Sequence, residues 1–267
     1  MRQRLMFDVL SENRIKSVLK TELFGQKIFA FWSISTTNDF AYRRATQGEK
    51  EGALVIAEKQ ERGRGRKSRI WDSQFGKGLW FSLILRPDLP SSKSGLMPYL
   101  AGVSVARAVE NLTGLQPDLK WPNDLMLNGK KCCGILSEVH FNNSNIAFLI
   151  LGIGINVNHN PGEWSDDIKK IATSLRIEKN ERIDRAELLA EILFQLEQLY
   201  EDVKINGFEK LLKEWKKHCS KYKKNITIVQ EDKKYEGIFF DLDNEGCLIL
   251  KTKDGEMKKI VAGDIMT

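Results

Sequence analysis

The sequence lacks the long apolar runs and the cysteine patterns that mark several large protein classes. No apolar segment reaches the roughly 18 residues that a membrane span needs. An acidic residue interrupts the first apolar stretch, so a signal peptide is not indicated. The four cysteines form no C-x-x-C pair, and the adjacent Cys132 and Cys133 are poorly placed to bridge each other. We therefore expect a cytoplasmic protein with reduced thiols, no cysteine-based metal site and no membrane partner.

Internal repeats and low-complexity segments are also missing. Their absence argues against a repeat protein or a largely disordered chain and favours a globular protein. Its 267 residues could hold one large domain or two smaller ones, and a hydrophobic content of 42% is ample for a core. The formal net charge is +6 and the pI is about 9.0. This mildly basic balance is compatible with a nucleic-acid partner but does not establish one.

Hydrophobic periodicity divides the chain into a longer α/β part and a short β part. After Lys224, short strands alternate with polar turns, which predicts a small β-barrel. The first predicted domain covers 1–222, with a short lead over 1–24, and the second covers 223–267. The predicted helices are Glu12–Lys20, Ser35–Glu49, Pro98–Gly114, Asp184–Ile205 and Gly207–Cys219. The predicted strands of the first domain are Lys27–Trp32, Ala53–Glu58, Gly78–Pro87, Lys130–Phe141 and Asn145–Asn158, the last two forming a hairpin around the turn NNS.

The segment QERGRGRKSRIW concentrates four arginines and one lysine around two glycines. Gly63 and Gly65 allow the backbone to approach a ligand closely. Arg64, Arg66 and Arg69 can then converge on one phosphate group, which guanidinium groups bind in a bidentate way. Because the cations repel one another, we expect this loop to be mobile when no anion is bound. The segment alone also fits a solvated basic loop or a nonspecific nucleic-acid patch.

The segment KWPNDLMLNGKKCCGILSE follows a predicted strand and carries a second group of polar residues. Pro122 stiffens a turn, and Asn123 and Asp124 follow it, where their side chains can face a pocket. A carboxylate beside phosphates usually holds Mg²⁺ through oxygen. Lys131 can offset the charge of a carboxylate that reacts with an α-phosphate. Taken alone, Asn-Asp after proline is more often a plain turn, and a lone lysine is more often a surface residue.

The segment LGIGINVN alternates glycines with apolar residues before Asn156 and Asn158. It lacks the third glycine and the following helix of a dinucleotide-binding fingerprint. A strand whose glycines let a ligand lie flat against it fits this pattern better.

Together, the segments STTND, EKQERGRGRKSRIW, KWPNDLMLNGKKCCGIL and GIGINVN resemble those of biotin–protein ligases in their order and spacing. The resemblance covers about residues 22–267. It implies an α/β domain with a mixed, mostly antiparallel sheet backed by helices, followed by an SH3-like barrel. It also implies an ATP-dependent, AMP-forming enzyme that makes biotinyl-5′-adenylate with Mg²⁺. The biotin then passes to a lysine of a biotin carboxyl carrier protein.

The resemblance also assigns residues to roles. The implied biotin contacts are Thr36, Thr37, Asn38, Gln60, Gly63, Arg64, Lys131 and Gly134. The implied ATP and adenylate contacts are Arg66, Arg69, Trp71, Asn123, Asp124, Lys131 and Asn156, with Trp71 stacking on adenine. The implied catalytic residues are Lys131, Asp124 and Arg64, and Asp124 is also the expected Mg²⁺ ligand. Thr36 departs from the serine that the family commonly has, so an extra methyl group lies beside the expected ureido ring.

Three alternatives remain open at the level of the sequence. A lipoate–protein ligase resembles the same fold and uses the same two half-reactions, but the GRGR loop and the terminal barrel argue against it. A basic nucleic-acid-binding regulator belongs to another class, and the lead is expected to be too short for a winged helix, so specific DNA binding is not expected. A non-catalytic binder of biotin or nucleotide is disfavoured by Lys131 and Asp124. Family members often form homodimers, and the sequence does not decide that point.

Overall fold

A computed structural model describes residues 9–142 and 145–266, in which a large mixed sheet is followed by a small antiparallel one. The helices are α1 (Glu12–Lys16), α2 (Thr37–Thr46), α3 (Met97–Thr113), α4 (Asp166–Ile171), α5 (Leu175–Lys179), α6 (Arg185–Asn206) and α7 (Glu209–His218). The strands are β1 (Ile28–Phe31), β2 (Leu54–Ala57), β3 (Gly78–Leu85), β4 (Asp118–Lys120), β5 (Asp124–Leu127), β6 (Lys130–Asn142), β7 (Asn145–Asn156), β8 (Asn225–Gln230), β9 (Lys233–Leu242), β10 (Leu248–Lys251), β11 (Met257–Ile260) and β12 (Asp264–Ile265).

The large sheet has seven strands in the order β1-β2-β3-β7-β6-β5-β4. β1 pairs with β2 in parallel, and each other neighbouring pair is antiparallel. The inner strand β3 is buried at every position, which agrees with its long apolar run, interrupted only by Ser82. The predicted mixed, mostly antiparallel sheet is therefore confirmed.

Helices α3 and α6 pack against each other and back the sheet. One face of α6 carries an apolar stripe that packs into the core and holds this helix in place. Burying one leucine, isoleucine or valine side chain contributes about 1.5–3 kcal/mol. The Asp184 carboxylate caps α6 by accepting hydrogen bonds from the backbone N–H groups of Ala186 and Glu187. This apolar stripe is buried throughout and comprises Leu188, Leu189, Ile192, Leu193, Leu196, Leu199, Tyr200 and Val203.

Three details of the first domain differ from the sequence-based expectation or extend it. The predicted helix over Glu12–Lys20 ends at Lys16, because the Ser17 hydroxyl donates to the Arg14 carbonyl and turns follow. The short helices α4 and α5 were not predicted. The turn NNS falls partly on residues 143–144, which lie outside the described residues, as do residues 1–8 of the lead.

The five strands after α7 form an antiparallel sheet in the order β11-β10-β9-β8-β12, with the SH3-like arrangement expected. This second unit contacts the first near the start of α3, where the Tyr99 hydroxyl donates to the carbonyl of Gly246 and the Lys93 ammonium donates to the carbonyl of Asn244. Its last strand, β12, reaches the arginine loop, defined here as residues 63–71. The second unit therefore takes part in the surroundings of the predicted site.

All four cysteines are buried free thiols. No helix within residues 9–142 and 145–266 has both the length and the apolar character to cross a membrane.

Candidate active site

A cavity of about 530 Å³ opens over the large sheet, and the predicted site residues converge on it. Its walls come from the start of α2, the arginine loop, the β4–β5 connection, β6 and β7, the region of α4, and β12. All of the predicted site residues except Gly63 line the cavity. They are Thr36, Thr37, Asn38, Gln60, Arg64, Arg66, Arg69, Trp71, Asn123, Asp124, Lys131, Gly134 and Asn156.

The start of α2 supplies a cluster of buried polar groups at one end of the cavity. The Thr36 hydroxyl caps the helix by accepting a hydrogen bond from the Asp39 N–H at 2.9 Å. The Thr37 hydroxyl donates to Gln60 Oε1 at 3.0 Å. Ser82 Oγ lies 2.7 Å from the Thr37 hydroxyl and 2.6 Å from Asn38 Oδ1. These mutual contacts hold donors and acceptors in fixed positions, as recognition of a small polar ring requires.

Glycines on β6 and β7 form the floor of the cavity. Gly134 lies opposite Gly154 in the register of the two strands, and Gly152 lies opposite Leu136. A Cβ atom on Gly152 would lie 2.2 Å from Asn38 Oδ1. A Cβ atom on Gly154 would lie 2.7 Å from the indole nitrogen of Trp71. The floor therefore admits flat groups only while these positions carry no side chain.

Trp71 covers the part of the floor made by Gly134 and Gly154. Its ring centroid lies 5.2 Å from Lys131 Nζ, within cation–π range. Its ring also meets that of Trp80 edge-on, with centroids 6.3 Å apart. The predicted stacking of Trp71 on adenine stays a prediction, and in this structure the ring lies on the glycines instead.

Gly63 positions the arginine loop rather than lining the cavity. A Cβ atom there would lie 2.3 Å from the carbonyl oxygen of Trp71. The Trp71 N–H donates to the Gly63 carbonyl at 2.9 Å, and the Gly65 N–H donates to the Arg69 carbonyl at 2.7 Å. Glycine is needed at position 63 because the two arms of the loop meet there.

The cations of the arginine loop are paired with carboxylates and an amide from four other segments. Arg64 lies 2.5 Å from Asp39 Oδ1 and 3.4 Å from Glu138 Oε1. Arg66 donates to Asn123 Oδ1 at 2.9 Å. These pairs offset the mutual repulsion that led us to expect a mobile empty loop. In this structure these pairs hold the loop against the rest of the pocket, and its mobility without an anion stays a prediction.

Lys67 and Arg69 of the same loop reach the second unit. Lys67 Nζ lies 3.1 Å from Asp264 Oδ2, and an Arg69 guanidinium nitrogen lies 2.9 Å from the same oxygen. The backbone of Lys67 and Ser68 has φ values of +54° and +57°, a conformation unfavourable to side chains. The contacts with Asp264 help to stabilise this strained turn.

The KWPND segment places Asp124 beside Lys131. β5 pairs with β6 so that Asp124 lies opposite Gly134. Lys131 Nζ lies 2.6 Å from Asp124 Oδ1, and Asn123 is fixed by donating to the Ile135 carbonyl at 2.6 Å. The ammonium group of Lys131 therefore lies at the edge of the glycine floor, next to the arginine loop.

Several residues in or beside the cavity were missed by reading the sequence. Lys120, the first residue of the KWPND motif, lines the cavity, and burial lowers the pKa of its ammonium group. Asp39, Glu138 and Asp264 were missed because their pairing depends on contacts between distant segments. Lys120 could have been found, because it belongs to the KWPND motif. Nothing in the sequence around the three carboxylates indicates that they lie near the site.

Two family models match the chain. The model described as the biotin/lipoate A/B protein ligase family matches residues 30–156, which contain most of the cavity wall. The model described as the biotin protein ligase C-terminal domain matches residues 224–266, which contain β8 to β12.

Curated relatives and solved structures agree with the two family models. A bifunctional ligase/repressor BirA from Bacillus subtilis is 41% identical over 256 residues, covering 96% of this chain and 78% of that protein. A biotin–[acetyl-CoA-carboxylase] ligase from Mycobacterium tuberculosis is 30% identical and covers 87% of this chain and 85% of its own length. The structure of biotin protein ligase from Aquifex aeolicus in complex with biotin and ATP is 28% identical, with a TM-score of 0.76, and covers 90% of this chain and 98% of that chain.

Proposed function

This chain belongs to the biotin–protein ligase family, and from that premise we propose how its own residues share the two half-reactions. It is an ATP-dependent ligase that uses biotin and ATP. Biotin is first activated to biotinyl-5′-adenylate with release of pyrophosphate, and the biotinyl group is then transferred to a lysine amine. The observation that carries the assignment of roles is the Asp124–Lys131 pair, which lies between the glycine floor and the arginine loop.

The polar cluster at the start of α2 is assigned to the ring of biotin. Thr37, Asn38 and Gln60 are already linked to one another or to Ser82, so binding does not have to order them. The Thr36 hydroxyl serves as the helix cap, a role that serine or threonine can fill. The departure at Thr36 therefore leaves the local fold intact and changes only the methyl group beside the ring.

The adenylation step brings two anions together, and the cations of the site reduce their repulsion. A carboxylate oxygen of biotin attacks the α-phosphorus of ATP, the bond to the bridging oxygen breaks, and pyrophosphate leaves with that electron pair. Lys131 is assigned to the carboxylate and α-phosphate, and Arg64, Arg66 and Arg69 to the carboxylate and phosphates. Removing one such stabilising group from a reaction of this kind typically costs about 10²–10³-fold in rate.

Asp124 is the residue that would hold Mg²⁺. One carboxylate fits this ion, since Mg²⁺ is usually bound by one or two carboxylates together with substrate phosphates. Asp124 Oδ1 is buried with only its ion pair to Lys131 and no hydrogen-bond partner among the described residues. When bound, the ion would neutralise charge on the pyrophosphate leaving group. The Asp124 side chain is held by Lys131 on the same side of the floor as the arginine loop.

The transfer step requires a neutral amine from the acceptor lysine. A lysine with a pKa of about 10.4 is almost fully charged at pH 7, which costs roughly 4–5 kcal/mol. The neutral nitrogen attacks the acyl carbon of the adenylate, and AMP leaves. Asp124 is assigned to orient the amine or to receive its proton. The acceptor is a biotin carboxyl carrier protein, and the two domains of this enzyme are residues 1–222 and 223–267.

A lipoate–protein ligase is the second candidate, because the family model over residues 30–156 includes both activities. The match of the terminal unit to a biotin protein ligase domain and the names of the relatives favour biotin. ATP–pyrophosphate exchange measured with biotin, with lipoate and with no acid separates the two. We expect exchange only with biotin, and exchange only with lipoate would contradict the proposal.

The role of Asp124 is tested in the second step alone. Purified biotinyl-5′-adenylate is supplied to wild type and to Asp124→Asn, and biotin transfer to a carrier domain is followed. We expect slower transfer by the variant. Normal transfer would contradict the assignment of Asp124 to the amine, whatever its effect on the first step.

A further inference from the structure

Glu138 lies beside the cavity and is connected to it through a neighbouring side chain. It is on β6, where its carboxylate accepts a hydrogen bond from Asn38 Nδ2 at 2.6 Å. Side chains two residues apart on a strand share a face, so Glu138 follows Leu136, which lies opposite Gly152 on the cavity floor. Asn38 is buried and lines the cavity. The contact with Asn38 therefore connects Glu138 to the polar cluster at the start of α2.

The side chain of Asn38 can take two orientations of nearly the same shape, which exchange its carbonyl oxygen and its amide nitrogen. In this structure the oxygen is nearer to the floor, because a Cβ atom on Gly152 would lie 2.2 Å from Oδ1 and 3.0 Å from Nδ2. The reversed orientation would bring the NH₂ group to the floor instead. The choice between them decides whether Asn38 offers a ligand a hydrogen-bond acceptor or a donor.

Ser82, a second neighbour of this amide, is compatible with both orientations. Its Oγ lies 2.6 Å from Asn38 Oδ1 and 2.7 Å from the hydroxyl of Thr37. A hydroxyl group both donates and accepts, so Ser82 can donate to Oδ1 or accept from a reversed NH₂ group. An ionised glutamate, in contrast, only accepts. Glu138 therefore requires the NH₂ group of Asn38 on its own side, which leaves Oδ1 toward the floor.

We infer that Glu138 is a positioning residue for biotin, which fixes the Asn38 amide so that its carbonyl oxygen faces the ring. The inference rests on the proposed function, because it places the ring of biotin on the floor beside Asn38. The ureido group of that ring carries two N–H donors, so an acceptor at the floor is complementary to it. A reversed amide would set donors against donors in a buried site, which weakens binding because neither group is satisfied.

A second contact of Glu138 offers a different explanation for any effect of its removal. Its Oε1 atom lies 3.4 Å from an Arg64 guanidinium nitrogen, and both side chains are partly exposed. An exposed ion pair of this length contributes little to stability. Arg64 is assigned to the carboxylate of biotin, and Asn38 to its ring. The experiment must therefore separate a lost charge near Arg64 from a reversed amide at Asn38.

The test exchanges the amide and the carboxylate. Glu138→Gln keeps the shape, but its amide can donate or accept, so Asn38 is free to reverse. Asn38→Asp places two carboxylates side by side. The double variant with both changes restores a defined arrangement, because the carboxylate at position 38 has two equivalent oxygens and the glutamine can donate to one of them. Glu236→Gln is the matched control, since Glu236 is an exposed strand residue that is also 3.4 Å from a cation, Lys253.

Biotin affinity is measured by calorimetry without ATP. We expect Glu138→Gln to bind biotin about three- to tenfold more weakly, as for the loss of one neutral hydrogen bond. Asn38→Asp should also bind more weakly, and the double variant should bind more tightly than either single variant. Glu236→Gln should match wild type. In biotin-dependent ATP–pyrophosphate exchange, the KM for biotin should rise in Glu138→Gln while kcat changes less.

Wild-type biotin affinity in Glu138→Gln would overturn the inference, as would an equal loss in Glu236→Gln. A double variant that does not bind more tightly than both single variants would assign the effect to the charge near Arg64 and would also overturn it. If Glu138→Gln does not fold by circular dichroism, Glu138→Ala takes its place, because it likewise removes the acceptor.

Neutron diffraction from deuterium-exchanged crystals reads the orientation of the Asn38 amide without catalysis and without biotin. The deuterated amide nitrogen should face Glu138 in wild type and should be reversed or mixed in Glu138→Gln. An Asn38 oxygen that faces Glu138 in wild type would overturn the inference. Failure of wild type to bind biotin would count against the proposed function instead, and the neutron structure would still decide whether Glu138 orients the amide.

Discussion

The floor of the pocket and the arginine loop above it are built in opposite ways. The floor consists of paired strands in which Gly134 and Gly154 face each other, and its neighbours are buried apolar residues. The loop is held by charges, and the Arg69 side chain is 68% exposed. Shape defines the floor, because a single added carbon atom has no room there. Exchangeable ion pairs define the loop, because each pair can be replaced by a ligand.

This difference explains how one pocket can recognise a neutral ring and also handle phosphate chemistry. Packing resists change, so a floor made of backbone selects ligands by fit. Exposed ion pairs contribute only about 0–1 kcal/mol each, so the loop can release them when a phosphate arrives. Substitutions in the two regions should therefore fail in different ways.

The largest effect is expected where floor and loop meet, at Lys131. Lys131→Met removes the cation and keeps most of the side-chain length. We expect the rate of adenylate formation to fall by about 10²–10³-fold, while the affinity for biotin changes much less. Single-turnover formation of adenylate and calorimetric binding of biotin measure the two quantities. Lys130→Met, one residue earlier on β6, is the control, because the side chain of Lys130 lies outside the cavity and donates to the Lys169 carbonyl. A loss of equal size in both variants would contradict the role of Lys131.

A smaller effect is expected from filling the floor with Gly152→Ala. The new methyl group would displace Asn38, which would lose its contact with Ser82. We expect biotin to bind about 10- to 100-fold more weakly and stability to fall by about 1–3 kcal/mol. Calorimetry and urea unfolding check these values. Gly162→Ala is the matched control, because a Cβ atom at Gly162 meets nothing within 4 Å. Wild-type biotin affinity in Gly152→Ala would show that the floor tolerates side chains.

The smallest effect concerns a buried aromatic cluster, where His159 is fully buried between Trp80 and Trp164. Neither ring nitrogen has a hydrogen-bond partner within residues 9–142 and 145–266. Burial lowers the pKa of His159 to about 4, against the opposing charges of Glu163 and Asp72. The unfolded chain, with a histidine pKa near 6.5, therefore binds more protons than the folded protein between about pH 6.5 and pH 4.

His159 should consequently make the protein less stable as the pH falls. We expect it to account for about 2 kcal/mol of lost unfolding free energy between pH 7 and pH 5. His159→Phe should remove that part of the pH dependence, whereas His140→Phe, at an exposed position on β6, should retain it. Urea unfolding of the three proteins at both pH values measures the difference. An identical change with pH in wild type and His159→Phe would rule out the histidine as its source.

Much of the fold could be predicted because its signals are local. The apolar stripe of α6 follows helical spacing, β3 is an apolar run interrupted only by Ser82, and both are buried. The end of α1 at Lys16 could not be predicted, because it depends on one hydroxyl group competing for a backbone carbonyl. The helices α4 and α5 are only one or two turns long, and segments of that length carry little periodicity.

The candidate site, like the fold, could be predicted only in part. Its cations and glycines lie in compact motifs, so the sequence predicted their convergence, and the structure brings all but Gly63 to the cavity wall. The partners of the cations could not be predicted. Asp264 is separated from Arg69 by 195 positions, and pairing at that distance is decided by the docking of the second unit.

Trp71 gives the pocket an optical signature. Its ring lies on the glycine floor, 5.2 Å from the ammonium group of Lys131 and edge-on to Trp80. A flat ligand that occupies the same area must move the indole away from both neighbours. The emission of this tryptophan therefore depends on whether the floor is covered by the protein itself or by a ligand, and the filling of the pocket can be followed without a label.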